Sequence, residues 1–264
     1  MVTAQQFNDS TIQRFNGQAR LEVAPGLWLD ARRAVWLERS RTLAVADLHI
    51  GYAWAHRCGG QLLPINVPDN TTARLAALQR DYCPNQIVLV GDVVHRALPV
   101  PPLRDAFQGL LNELASQTKV ILVAGNHDRD LQTVFSGEVA RITVADHFSE
   151  ERCLFLHGDE KSVIASQDAI PGHDWLVIGH EHPCVTLDDG AATWQKYPCF
   201  LVGRSSRRFN GSTIQRFNDI LVLPAFSPWA AGNSRDDYMS PLLQAAEFTL
   251  KVAILGDRLV PVQP

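Results

Sequence analysis

The sequence predicts an α/β fold built on a βαβαβ core of parallel strands, on three observations. Three short apolar runs rich in β-branched residues, Leu43-Ala44-Val45-Ala46, Ile87-Val88-Leu89-Val90 and Val120-Ile121-Leu122-Val123, fit strands buried on both faces. A helical pattern lies between each consecutive pair. Beyond Leu131 the pattern turns to short, closely spaced strands.

The elements follow in order. The first twenty residues are polar and aperiodic, and the string at 7–16 returns at 209–218 with only its third position changed. Two copies cannot make a solenoid, which needs about three stacked units. A duplicated element at a terminus and in a surface loop accounts for them, because insertions there are well tolerated. The expected organisation is therefore a dispensable extension over 1–20 and one domain over 21–264, with a loop insertion near 204–219. Leu27-Trp28-Leu29 and Ala34-Val35-Trp36-Leu37 read as an opening hairpin, and the strand after it ends in Asp47-Leu48-His49. A long loop broken by Gly59-Gly60, Pro64 and Pro68 follows. Asp69 or Asn70 then caps a helix through about Tyr82, with Leu75 and Leu78 inside. The second strand stops at Gly91-Asp92. Pro101-Pro102 opens a second helix with Phe107, Leu110, Leu111 and Leu114 at helical spacing. The third strand ends in Gly125-Asn126-His127-Asp128. Right-handed crossovers put these three strand ends on one edge of the sheet. Leu154-Phe155-Leu156 and Trp175-Leu176-Val177-Ile178 end in His157-Gly158-Asp159 and Gly179-His180-Glu181-His182, and a hairpin broken at Gly256-Asp257 closes the chain.

Composition narrows the function classes. The 264 residues are 46% hydrophobic and 20% charged, as in ordinary globular proteins, and the net charge of −4 supplies no field drawing the chain to a polyanion. Five scattered cysteines without a C-x-x-C pair argue against a disulfide framework or a zinc ribbon. The sequence shows neither a signal-peptide core nor an apolar run of spanning length, so a cytoplasmic location without membrane contact is expected.

Five strand ends thus carry Asp47, His49, Asp92, Asn126, His127, His157, His180 and His182. Buried carboxylates and imidazoles need partners, and coincidence at five strand ends is a poor explanation. Carboxylate, imidazole and amide oxygen without thiolate suit manganese, iron or zinc. In D-x-H and H-x-H, the period of two puts both side chains on one side of an extended segment.

These blocks, D-x-H, G-D, G-N-H-D, H and G-H-x-H in that order, resemble the calcineurin-like metallophosphoesterase superfamily. Ala46-Asp47-Leu48-His49-Ile50-Gly51, Gly91-Asp92-Val93-Val94-His95 and Leu223-Pro224-Ala225-Phe226 further resemble the ligase-associated DNA damage response endonucleases and their archaeal phosphoesterase relatives. The resemblance implies a β-sandwich of two mixed sheets flanked by helices, and a hydrolase of phosphate esters. It also implies two divalent ions, manganese first with iron or zinc as alternatives. Asp47, His49 and His182 would hold one, Asn126, His157 and His180 the other, and Asp92 would bridge them. A bridging hydroxide would attack phosphorus, and His127 would be the general acid. The implied substrate is DNA or RNA, with a DNA-repair role and association with a ligase by family analogy alone. Hydrolysis of a small metabolite or nucleotide is the alternative, and a catalytically silent scaffold, as in retromer, a further one.

Many relatives carry an aspartate where this chain has His95. Asp128 or another acid could then orient His127, and His95 and Arg96, with Arg57 and Arg129, could meet the substrate phosphate. His56, His147 and His173 read as surface or loop residues, Glu181 as pointing away from the metals, and Pro224-Ala225-Phe226 with Pro228 and Trp229 as a packed loop, with a place in the wall of the substrate cleft as the alternative.

Overall fold

A computed structural model of the chain describes residues 19–61, 70–96, 100–128, 131, 141–188, 194–208, 215–230, 232–234, 237–244 and 246–262. The first sheet joins seven strands in chain order: β1 (Arg20–Ala24), β2 (Leu27–Asp30), β3 (Ala34–Leu37), β4 (Thr42–Ala46), β5 (Gln86–Val90), β6 (Lys119–Val123) and β7 (Ile142–Ala145). The first three neighbouring pairs are antiparallel, and β4 to β7 run parallel. The second sheet has the order β15 (Arg258–Val262), β14 (Ala246–Leu255), β12 (Trp194–Arg208), β13 (Gln215–Val222), β10 (Trp175–Ile178), β9 (Cys153–Leu156), β8 (His147–Glu150), with β11 (Cys184–Asp188) paired to β12. Here β13, β10 and β9 are parallel and the rest antiparallel. Both sheets are therefore mixed, and helices flank them, as expected.

Strand alternation builds three apolar layers. Leu43, Val45, Ile87, Leu89, Val120 and Leu122 face the helices α2 (Thr71–Tyr82) and α3 (Pro101–Ala115), meeting Leu75, Leu78, Phe107 and Leu111. Their neighbours Ala44, Ala46, Val88, Val90, Ile121 and Val123 face the other sheet, against Phe155, Val177, Phe200 and Leu221. Beyond the second sheet, Leu156, Ile178 and Val222 pack with Val163 of the short helix α4 (Glu160–Ala165) and with Leu242. Strands buried on both faces read as continuous apolar runs, which is how β4, β5 and β6 were visible in the sequence.

Several local expectations change. The stretch after His49, expected as loop, contains helix α1 (Tyr52–Cys58), which starts at Gly51 in the left-handed region and ends at Gly59. Asn70 sits at the N-cap of α2, while Asp69, Pro64 and Pro68 lie outside the described residues. His147 lies in β8, and Asp159 accepts the Ser162 amide to cap α4. The described parts of 204–219 continue the β12–β13 ladder through the Arg208–Gln215 pair, and 209–214 lie outside the described residues. At the other end β1 begins at Arg20 and Ala31 N donates to Ala19 O at 2.7 Å, while residues 1–18, with the first repeat, lie outside the described residues.

Candidate active site

Register explains why the polar ends meet. Ala46, Val90 and Val123 are aligned across the parallel strands β4, β5 and β6, as Leu156, Ile178 and Val222 are across β9, β10 and β13. An isolated bridge between Ala46 and Ala225 ties the two carboxyl edges together. Ligand sites in open α/β sheets form outside such edges, and the eight residues singled out at strand ends lie on this one.

The backbone there is unusual. Ten non-glycine residues among those described have φ in the left-handed region, and Asp47 (55°), His49 (47°), Asp92 (49°), His180 (71°) and His182 (46°) are half of them. Such conformations cost about 1–3 kcal/mol each and cluster at functional sites. The preceding glycines make room: a Cβ on Gly91 would lie 2.0 Å from His157 Nδ1, and one on Gly125 2.3 Å from Asp92 Oδ1. The G-D and G-N-H patterns thus reflect close approach of side chains to the backbone.

The titratable side chains gather in two groups, Asp47 with His49 and His182, and Asp92 with His157 and His180. In the first, His49 Nε2 and His182 Nε2 face each other at 3.1 Å, and His182 Nε2 lies 3.5 Å from Asp47 Oδ1. In the second, His157 Nε2 faces Asn126 Oδ1 at 3.0 Å, His180 Nδ1 at 3.1 Å and Asp92 Oδ2 at 3.4 Å. Asp47 Oδ1 and His157 Nδ1, 3.8 Å apart, join the groups. Asp92 therefore stands with the second group.

Burial and charge compete at these residues. Burial pushes His49 down to about 4 despite the nearby Asp47 carboxylate. At His157 burial also disfavours the cation, but its hydrogen bond to Asp92 and the charges of Asp92 and Asp47 prevail and push it up to about 9. Burial opposes ionisation of Asp92, yet His157 and His127 hold its carboxyl well below the usual range.

The donor set fits divalent metal. One ring N–H on His157 Nε2 cannot serve three acceptors at once, whereas a cation satisfies all of them. His157 Nδ1, fully buried, has no hydrogen-bond partner among the described residues.

Around this centre the neighbours of His127 have distinct tasks. His127 N donates to Asp92 Oδ1 at 2.9 Å, and His127 Nδ1 donates to the main-chain carbonyl of His95. That bond leaves Nε2 for the cleft, 3.8 Å from Asp92 Oδ2. The orienting group is therefore a carbonyl of the residue that replaces the acid, while the His95 ring stands with its Nδ1 3.4 Å from His49 Nδ1. Burial pushes His95 down to about 4. His49, His95 and His127 form a third close set.

Asp128 does a different task. Its Oδ1 accepts from Val93 N (2.9 Å) and Val94 N (3.3 Å), and its Oδ2 from Gly125 N (3.0 Å). It braces the two loops that carry Asp92 and Asn126; burial and the Asp92 charge push it up to about 6. Glu181 turns away from the metal groups, accepting from Met239 N (3.2 Å) and Ser240 N (2.5 Å), and so ties the 237–244 segment to the His180–His182 loop. Arg57 and Arg96 are exposed, and Arg129 lies outside the described residues.

A cleft of about 640 Å³ opens over the site, lined by Asp92, Asn126, His127, His180 and His182, with Lys196 and Met239 on its wall. No sequence pattern singles out Lys196 of β12 or Met239 of the 237–244 segment, and both line the cleft. The sequence reading also missed Tyr52 and misread His56 as an ordinary loop or surface residue. The Tyr52 ring lies 4.5 Å from His95, and His56 stacks on His95 at 5.3 Å. Trp229, read as part of a packed loop, stacks parallel to Tyr52 at 6.1 Å.

Known proteins share the fold and a family with this chain. Among solved structures, a Pseudomonas putida nuclease, MPE, matches 92% of this chain and 98% of its own at 21% identity and a TM-score of 0.57. The YfcE phosphoesterase from E. coli matches 84% and 98% at 18% identity, with a TM-score of 0.38. No curated protein sequence matches the chain. The family model described as calcineurin-like phosphoesterase matches residues 40–243, a span that holds every strand end of the site. The chain belongs to the calcineurin-like phosphoesterase family.

Proposed function

We propose that this protein is a metal-dependent phosphodiesterase that acts on nucleic acid. The observation that carries the reading is the convergence of seven donor side chains from five strand ends, with His127 Nε2 facing the same cleft. Asp47, His49 and His182 would hold one ion, Asn126, His157 and His180 a second, and Asp92 would be shared between them. The thiolate-free set of imidazole, carboxylate and amide donors suits manganese, iron or zinc, and the family resemblance puts manganese first. When bound, divalent ions supply a water activated near neutral pH and positive charge against the phosphate oxygens.

The chain's own residues do the rest. The His95 carbonyl holds the His127 Nδ1 proton, so the ring presents Nε2 in one orientation. As an imidazolium, His127 gives its Nε2 proton to the departing alkoxide, a contribution of about 10²–10⁴ in rate. The Asp92 carboxylate accepts the His127 amide at 2.9 Å and so fixes the loop that carries the ring. Lys196, which lines the cleft and donates to Gly232 O at 3.3 Å, would be the cation that meets a phosphate oxygen. The nuclease neighbour supports the nucleic-acid substrate by resemblance of fold.

The test is one panel. Metal-reconstituted wild type, His127→Ala and Asp92→Asn are assayed on methyl p-nitrophenyl phosphate, a phosphomonoester, single- and double-stranded DNA, and RNA. Wild-type cleavage of a diester and of a nucleic acid, lost in Asp92→Asn, is expected. Wild-type activity no greater than that of Asp92→Asn on every substrate would sink the enzyme reading. Cleavage of small esters with no nucleic acid cut would remove the nucleic-acid substrate alone.

A further inference from the structure

A row of half-buried rings leads away from the metal groups. Trp229 lies parallel to Tyr52, with centroids 6.1 Å apart and planes 7° apart. Tyr52 leans on His56 at 4.2 Å and on His95 at 4.5 Å. His95 stacks on His127 at 5.1 Å, and His127 lines the metal cleft. None of the five rings is buried, and none belongs to the three apolar layers. Contact between parallel rings at 6.1 Å requires a lateral offset, so Trp229 and Tyr52 present a stepped aromatic surface. Exposed Arg57 sits at the end of the same helix α1, and exposed Arg96 follows His95.

Core packing does not account for this arrangement, because none of the five residues is fully buried and none joins an apolar layer. Aromatic rings in series beside arginines are how proteins hold unpaired bases, since every base has a π-face and a phosphate to be neutralised. A mononucleotide offers one base and a dinucleotide two, whereas this row is several rings long. A duplex keeps its bases stacked inside and cannot present them. We infer that the Trp229–Tyr52–His95 row is a stacking platform for the bases of a single-stranded nucleic acid, seating the strand so that a phosphodiester reaches the metal cleft. This rests on the phosphodiesterase reading above and names its substrate class.

The experiment compares binding of two phosphorothioate oligomers to the metal-loaded full chain by fluorescence anisotropy. One is oligo-dT and the other has the same backbone with abasic residues. Wild type should favour oligo-dT, and Tyr52→Ala or Trp229→Ala should each reduce that preference by about 5- to 150-fold, the effect of losing one stacked base. Tyr52→Phe and Trp229→Phe should retain it. No preference in wild type, or an equal loss of both oligomers in the alanine variants, would overturn the platform. Binding is read without turnover, so a protein that prefers bases but cleaves nothing refutes the hydrolase reading and leaves the platform standing.

Discussion

Asp128 follows the proposed general acid in sequence, and its role separates two accounts of the site. If it braces the loops, substitution should act through stability and metal affinity. If it exchanges a proton with His127, substitution should act through the pH dependence of the rate. The structure favours bracing, because its carboxylate oxygens accept the amides of Val93, Val94 and Gly125. Asp128→Asn can keep its oxygen toward Val93 and Val94, but its NH₂ then faces the Gly125 N–H. One buried bond is lost and a donor is left unsatisfied, a destabilisation of about 1–3 kcal/mol. In a chain of this size about 2 kcal/mol lowers the thermal midpoint by about 4–8 °C.

The same brace holds Asp92 beside Asn126 and His127, so metal affinity should fall by about 10–100-fold, the usual effect of disturbing the groups that orient ligands. Thermal unfolding of chelated protein and metal titration followed by calorimetry measure the two effects separately. With saturating metal, the pH–rate profile should keep its shape. A variant of unchanged thermal midpoint and metal affinity, but with a displaced pH–rate profile, would refute the bracing role.

Three further outcomes follow from the geometry. Gly125→Ala, whose Cβ would stand 2.3 Å from Asp92 Oδ1 and 2.5 Å from Asp92 N, should abolish metal retention even where the chain still folds, as metal analysis after gel filtration would show. Chelation should lower the thermal midpoint of wild type, and excess manganese at 100 times its Kd should restore about 2.7 kcal/mol; a midpoint indifferent to metal would contradict the assigned donors. Away from the site, buried Asp30 bonds Arg32 and the Tyr82 hydroxyl (2.7 Å), and although burial opposes its ionisation these partners hold its carboxyl below the usual range. Its stabilising contribution is thus complete above the unfolded value of about 3.9 and lost as pH falls through the folded one. Asp30→Asn should therefore flatten the acid limb of urea midpoint against pH; an acid limb as steep as that of wild type would count against this.

The sequence made the metal groups legible because each donor follows a strand that is apolar on both faces, and such strands announce their ends. Their meeting at one edge followed from parallel pairing and right-handed crossovers. What was hidden had two physical causes. Helix α1 spans only seven residues between glycines, too few for a helical period to stand out, so Tyr52 and His56 seemed to lie in a loop. The partner of His127 was hidden because it is a main-chain oxygen, and the identity of residue 95 carries no signal for that bond. Lys196 and Met239 reach the cleft by tertiary placement, one from an edge of the β12 strand and one from a segment tied down by Glu181.

The left-handed backbone at Asp47, His49, Asp92, His180 and His182 bears on why the site is built from loops over rigid strands. At about 1–3 kcal/mol each, the strain of five such residues approaches the whole stability of a typical domain, about 5–15 kcal/mol. It persists because the surroundings over-determine it. Asp47 and Asp92 carboxylates accept the amides of His180 and His127, Asp128 ties two of the loops, and the Ala46–Ala225 bridge locks the sheets at that edge. The prospective ligands are thus also the hydrogen-bond partners that hold one another's loops. The donors are positioned by the fold itself, and removing any one carboxylate should loosen a neighbouring loop as well as delete a ligand.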